Sequence, residues 1–203
     1  MIAKLLVCAV LAVVWWYLLR VMDRAELNFW HFVLGSCGLF IFLIVLVQPV
    51  LTKPLGQVVA AIAGLFGALT HTFAAYFRYG VLFIQAAGGA MTLQIGFECS
   101  GIIEILAFIS LLAFFRVYTK NQRVVIGILG TIAIILANVL RIIVICEIIY
   151  FGGPETYYVS HSLIGRFIFY GLSVLLYFYV FTKPQIISMK VGSFKYGDGG
   201  TSE

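Results

Sequence analysis

The chain has 203 residues, 63% of them hydrophobic and 10% charged. Its mean hydropathy is +1.11. So few charges cannot coat a soluble domain of this size, which excludes that class. The formal net charge of +5 does not point to nucleic acid, because Lys and Arg are scattered over loops and tail, where they orient a chain on a membrane.

The composition predicts one polytopic membrane domain over residues 1–182, followed by a flexible cytoplasmic tail over 183–203. No alternating barrel pattern is visible, so the spans are helices and the fold class is all-α. A crossing needs about 20 apolar residues, and six are predicted, near 3–22, 29–51, 56–77, 101–118, 124–150 and 162–181. The first begins after Lys4 and ends at Asp23-Arg24-Ala25-Glu26. It lacks a small-residue cleavage site and reads as a retained signal-anchor helix. Gln48-Pro49 and Thr52-Lys53-Pro54 close the second span. Residues 78–100 are too broken for a span, with Gly88-Gly89 in their middle. They predict a short extracytoplasmic hairpin or re-entrant turn, covered by protein, that delivers the chain to Cys99. The segment 119–123 separates spans four and five, Gly152-Gly153-Pro154-Glu155 separates five and six, and Lys183-Pro184 stops the last.

Arg116, Lys120 and Arg123, together with Lys183, Lys190 and Lys195, place the fourth connection and the tail in the cytoplasm. The expected topology has both termini inside. Arg20, Arg24 and Arg78 then fall on the outer side, against the rule.

Polar residues in such a chain are costly and few. Cys99 is predicted at the outer end of helix four, His161 at the outer start of helix six, and Arg141 within helix five. A thiolate is the nucleophile in cysteine chemistry, and a helix N-terminus lowers a thiol's pKa, so Cys99 is expected to ionise below the free value of about 8.5. An imidazole can take the thiol proton and later protonate a leaving amine. A guanidinium can face an oxyanion. An Arg inside a membrane costs about 2.5–3.5 kcal/mol even on lenient scales, so its default reading is functional. Glu98, Glu104 and Glu147 are its available partners. Asn138, one turn before it, suits orienting Arg141 or a substrate amide, or joining helices. Arg166 suits a lipid phosphate or a substrate carboxylate. Cys99 and His161 also have plain packing readings. Cys8, Cys37 and Cys146 read as small core hydrophobes. His31 and His71 lie in outer halves of their helices without any ligand spacing, so no metal or cofactor is expected.

The strings Cys99-Ser100-Gly101-Ile102, Asn138-x-x-Arg141-Ile142 and His161-x-x-x-Gly165 occur in this order on successive helices. This pattern resembles the exosortase/archaeosortase family, membrane-embedded analogues of sortases viewed as cysteine transpeptidases. The resemblance covers residues from about 80 to 175, and the first three helices match by hydrophobicity alone. It implies Cys99 as nucleophile, Arg141 as oxyanion or substrate stabiliser and His161 as acid/base, supported by Asn138, Glu98, Ser100 and Gly101. It implies as substrates exported proteins bearing a C-terminal signal of a short motif, a transmembrane helix and a basic cluster. These would be cut at the outer face of the cell membrane and passed to an acceptor nucleophile. Many members have more helices, so this chain is a short, six-span form. A transport path for an anion and a non-catalytic scaffold are the competing readings.

Overall fold

The computed structural model describes residues 2–86 and 88–186, with side chains from Val10 onward. The predicted tail beyond Ile186 lies outside the described residues. The fold is an all-α membrane protein carrying one small sheet. Helix α1 spans Ile2–Arg24, α2 Asn28–Leu46 and α3 Gln48–Thr70. Strands β1 (Phe73–Tyr76), β2 (Val81–Ala86) and β3 (Gly89–Gln94) follow. Helix α4 is Ile102–Phe114 and α5 is Lys120–Gly152. The last helix, α6, runs over Pro154–Ile186. By length and composition α2, α3, α5 and α6 can cross a membrane, whereas α4 is a shorter apolar helix.

Several boundaries differ from expectation: α4 ends at Phe114 rather than 118, and α6 begins at Pro154 rather than 162, so His161 lies within it and not at its start. The break between spans two and three is not at 52–55. Pro49 falls in the first turn of α3, where its missing N–H costs nothing. Pro54 sits inside α3, and Thr52 Oγ1 returns to Gln48 O at 2.7 Å one turn before it. Helix α3 then stops at Thr70, because His71 takes the left-handed region at φ 57°. The stretch 73–76, predicted as helical, is therefore β1. The expected hairpin is a three-stranded antiparallel sheet, with Phe73 opposite Ile84 and Val81 opposite Gln94. Finally, α6 continues past Lys183-Pro184 to Ile186.

The sheet lies on α3 and α5. Leu82 and Ile84 of β2 are fully buried against Val59, Ala60 and Ala63 of α3 and Ile142 and Ile145 of α5. The small residues on α3 allow this close approach: a Cβ on Gly56 would stand 2.9 Å from the Ile95 carbonyl oxygen. A second cluster joins α4, α5 and α6 through Ile105, Phe108, Leu112, Ile134 and Phe169. There Gly130 of α5 leaves the space that the Phe108 ring fills.

The path of the first half is the main departure. Val47, between α2 and α3, keeps right-handed helical angles (φ −97°, ψ −40°). The chain bends there without a reversing loop. One reversal of the expected up-and-down order is thus lost. Accordingly, the 24–28 connection and the 115–119 connection meet at one end of the molecule, where they were expected on opposite faces. Arg116 donates to Asp23 at 2.6 Å and to Asn28 at 2.7 Å. The lower part of α6 joins the same end, where Tyr118 donates to the Val180 carbonyl at 2.6 Å.

This arrangement has a direct check. Cysteines placed at Ala25 and Asn121 are expected to react with a membrane-impermeant maleimide from the same side of sealed membranes. A cysteine at Glu155 should react from the opposite side. Labelling of positions 25 and 121 from different faces would refute the bend at Val47.

Candidate functional site

The end of β3 turns sharply to reach α4. Ile95 N donates to Gly80 O at 2.8 Å, and Cys99 N donates to Gly96 O at 3.2 Å, closing a single 3-10 turn over Phe97–Cys99. Ser100 is fully buried and stitches this turn. Its Oγ donates to Phe97 O at 3.0 Å and accepts from Ile102 N at 3.4 Å. Gly101 lies at φ 77°, a conformation open to glycine at little cost, and starts α4 through its carbonyl and Ile105 N at 3.2 Å. The Cys-Ser-Gly string is thus the chemistry of a tight turn that presents Cys99 just ahead of the helix.

Asn138 anchors that turn. Its side chain is fully buried in α5, and its Nδ2 donates to the Cys99 carbonyl at 2.7 Å. Of the roles open to Asn138, the contact made is with the backbone of Cys99. A Cβ on Gly101 would stand 3.4 Å from Asn138 Cγ, an ordinary packing distance, so what calls for glycine here is the backbone angle.

His161 meets Cys99 from α6, with Nε2 2.9 Å from Sγ. Two features hold the imidazole. Tyr157 stacks on it, with ring centroids 5.3 Å apart and planes at 21°. The segment Ser160–Ile164 is a π turn, a form often found at functional sites. Tyr157 did not emerge from the sequence, although its spacing of four residues from His161 places both on one helical face.

Arg141 is 4% exposed. Its Nε is buried with no hydrogen-bond partner, and its guanidinium carbon lies 5.6 Å from the Phe169 ring centre. None of the three available carboxylates pairs with it. Glu98 is exposed, Glu104 makes no ion pair, and Glu147 accepts instead from Thr72 at 2.6 Å. The charges of Arg141 and Arg166 both act on Cys99. The Arg141 charge acts on Cys99, His161 and Glu104 without closing an ion pair among the described residues.

The expected low thiol pKa is not found. Burial pushes the Cys99 thiol up from its ordinary value, and the Arg141 charge opposes this without overcoming it. The sulfur rests as a thiol, with His161 Nε2 at hydrogen-bond distance. The other sequence candidates lie apart. His31 packs edge-on against Phe114, and His71 ends α3. Cys146 is buried and Cys37 exposed. No group of His, Cys, Asp and Glu fit to hold a metal occurs among the described residues.

A family model described as transmembrane exosortase matches residues 1–179 of the chain. No curated protein and no solved structure matches.

Two outcomes follow from this geometry. Replacing Gly101 with Ala forces a Cβ into the left-handed region and should cost about 1–2 kcal/mol, read as a lowered unfolding temperature in detergent. Iodoacetamide consumes only thiolate, so its rate at Cys99 should rise with pH about a midpoint above the free-thiol value of roughly 8.5. Arg141→Gln removes the charge that opposes burial and should move that midpoint further up. A midpoint below the free value would show that burial does not dominate.

Proposed function

The chain belongs to the transmembrane exosortase family, and we propose that it is a membrane cysteine transpeptidase that cuts exported proteins at Cys99. The observation that carries this reading is the 2.9 Å approach of Cys99 Sγ and His161 Nε2, with the charge of the buried Arg141 acting on both.

The steps follow from the residues. His161 Nε2 takes the thiol proton as Sγ bonds to the scissile carbonyl carbon. The carbonyl oxygen gains negative charge and is drawn to Arg141, whose guanidinium stays charged when buried. The C–N bond then breaks, and the imidazolium returns its proton to the departing amine. The product is a thioester at Cys99. An acceptor amine attacks that carbon, His161 takes a proton from the amine, and the thiol is released with the proton returned to sulfur. Asn138 holds the nucleophile's backbone, Ser100 and Gly101 shape its turn, and Glu98 contributes an exposed charge next to Cys99 in the chain. No step calls for a cofactor.

Substrates in this reading are exported proteins with a C-terminal signal that includes one transmembrane helix. Docking in the bilayer confines such a substrate to two dimensions, which supplies much of the orientation that catalysis needs. We place the basic end of the protein in the cytoplasm of the host cell membrane. Arg24, Arg116, Lys120, Arg123 and Lys183 gather there, and Arg20 lies one turn away, so two of the three residues that violated the positive-inside rule in the expected topology now obey it, while Arg78 stays with the sheet on the other side. The site then faces the extracytoplasmic side. Helix α1 begins on that side and α6 ends in the cytoplasm, a revision of the expectation that both termini lie inside.

Cells carrying Cys99→Ala should retain, on a set of surface proteins, the C-terminal membrane helix that wild-type cells remove. His161→Ala should give the same set. Arg141→Ala should slow processing about 10²–10³-fold, the usual cost of one oxyanion donor. A membrane proteome identical in wild type and Cys99→Ala would end the catalytic reading.

A further inference from the structure

A histidine that serves as general base is commonly oriented by a third group, which accepts a hydrogen bond from its other ring nitrogen. His161 has no such group. Its Nε2 meets the Cys99 sulfur at 2.9 Å, and this is the hydrogen bond that the ring makes among the described residues. No carboxylate there forms an ion pair with it. The main-chain carbonyl one turn back, that of Tyr157, already accepts from Ser160 Oγ at 3.0 Å. Nothing polar on the protein fixes Nδ1.

The surrounding charges do not favour an imidazolium either. Arg141 and Arg166 both act on the imidazole with like sign, and Glu98, which acts with opposite sign, is exposed. Tyr157 answers both needs. Its ring lies face to face with the imidazole, the centroids 5.3 Å apart and the planes at 21°. His31, by contrast, meets Phe114 edge-on at 63°. An aromatic face carries negative potential and attracts a cation placed over it. The Tyr157 ring is itself braced, because it packs on the core cluster that includes Leu93 of β3 and Ile145 and Ile149 of α5. Its hydroxyl makes no hydrogen bond among the described residues. What Tyr157 gives His161 is therefore the ring face and not the phenol.

We propose, resting on the reading of His161 as acid/base, that Tyr157 is its positioning residue and takes the part of the absent hydrogen-bonding group. The stacked ring holds the imidazole plane toward Cys99. It also stabilises the imidazolium that forms when the proton passes from Sγ to Nε2. That transfer leaves a thiolate beside an imidazolium, with no change in total charge and no bond to Tyr157.

The test is a double-mutant cycle on the full-length protein in detergent, with iodoacetamide as the probe of Cys99. At about pH 8, Tyr157→Leu should slow alkylation about threefold or more, because less of the sulfur stands as thiolate beside an imidazolium. Tyr157→Phe returns the ring face and should restore the rate to within about twofold of wild type. In a His161→Ala background, Tyr157→Leu should change the rate by less than about twofold, since the ring has no imidazole to act on. Tyr157→Met repeats the comparison with a second flexible apolar side chain, independently of how Leu packs. Slowing by Tyr157→Leu that persists in the His161→Ala background would show a packing role alone and overturn the proposal. Alkylation of Tyr157→Leu and Tyr157→Met at the wild-type rate would overturn it as well. In cells, processing of the proteins that accumulate uncut with Cys99→Ala should fall about tenfold with Tyr157→Leu and recover with Tyr157→Phe. If no protein accumulates with Cys99→Ala, the catalytic reading fails by itself, and the alkylation cycle still decides whether Tyr157 acts through His161.

Discussion

One hydrogen bond organises this molecule, the donation from Asn138 Nδ2 to the Cys99 carbonyl. It crosses from the middle of α5 to a turn that has little regular structure of its own. A carbonyl just before a helix has no intrahelical partner. Buried without water, it would carry the full desolvation penalty. Asn138 removes that penalty and fixes the height of the turn against α5. Gly101 supplies the left-handed angle that starts α4, and Ser100 closes the backbone of the turn. Asn138, Ser100 and Gly101 thus share one task, holding a backbone in place.

The same helix sets the electrostatics. Asn138 and Arg141 lie one turn apart on the buried face of α5. The first is half-satisfied, with its Oδ1 unpartnered, and the second has its Nε buried without a partner. Arrangements of this kind cost stability when empty and are tolerated where a ligand completes them. The sulfur beside them is kept neutral by burial. In the proposed reaction the Cys99–His161 pair is therefore quiet at rest, and charge develops only as an acyl group arrives for Arg141 to face, which differs from a standing thiolate.

Much of this was legible from residue type alone. Polar side chains in an apolar chain stand out because each costs free energy, so Cys99, Asn138, Arg141 and His161 announced themselves. Helix existence was equally plain, since apolar runs of about 20 residues have few other uses. What the sequence hid were features set by backbone angles and by packing. Pro49 and Pro54 read as a loop, yet one occupies a first turn and the other is carried within the helix. Phe73 to Tyr76 reads as the end of a span, because an apolar strand and an apolar helix turn look alike over four residues. Val47 gives no signal of a bend in place of a loop. That single ambiguity reversed the inferred side of the first connection. The thiol pKa was misjudged for a related reason: the helix end was visible in the sequence, and the depth of burial was not.

The π turn at Ser160–Ile164 carries a consequence for how this site can vary. Such a turn behaves as one residue inserted into an α-helix. Everything after it is rotated by about 100° relative to a regular helix, the angle of one residue. Phe169 reaches its place under Arg141 only with that rotation. The alignment of His161 above and Phe169 below is therefore a property of chain length between them. Point substitutions within 160–164 leave it intact as long as the turn persists. Removing one residue would restore a regular helix, swing the aromatic ring out of register and leave the guanidinium without its floor, even though every named side chain of the site remained present.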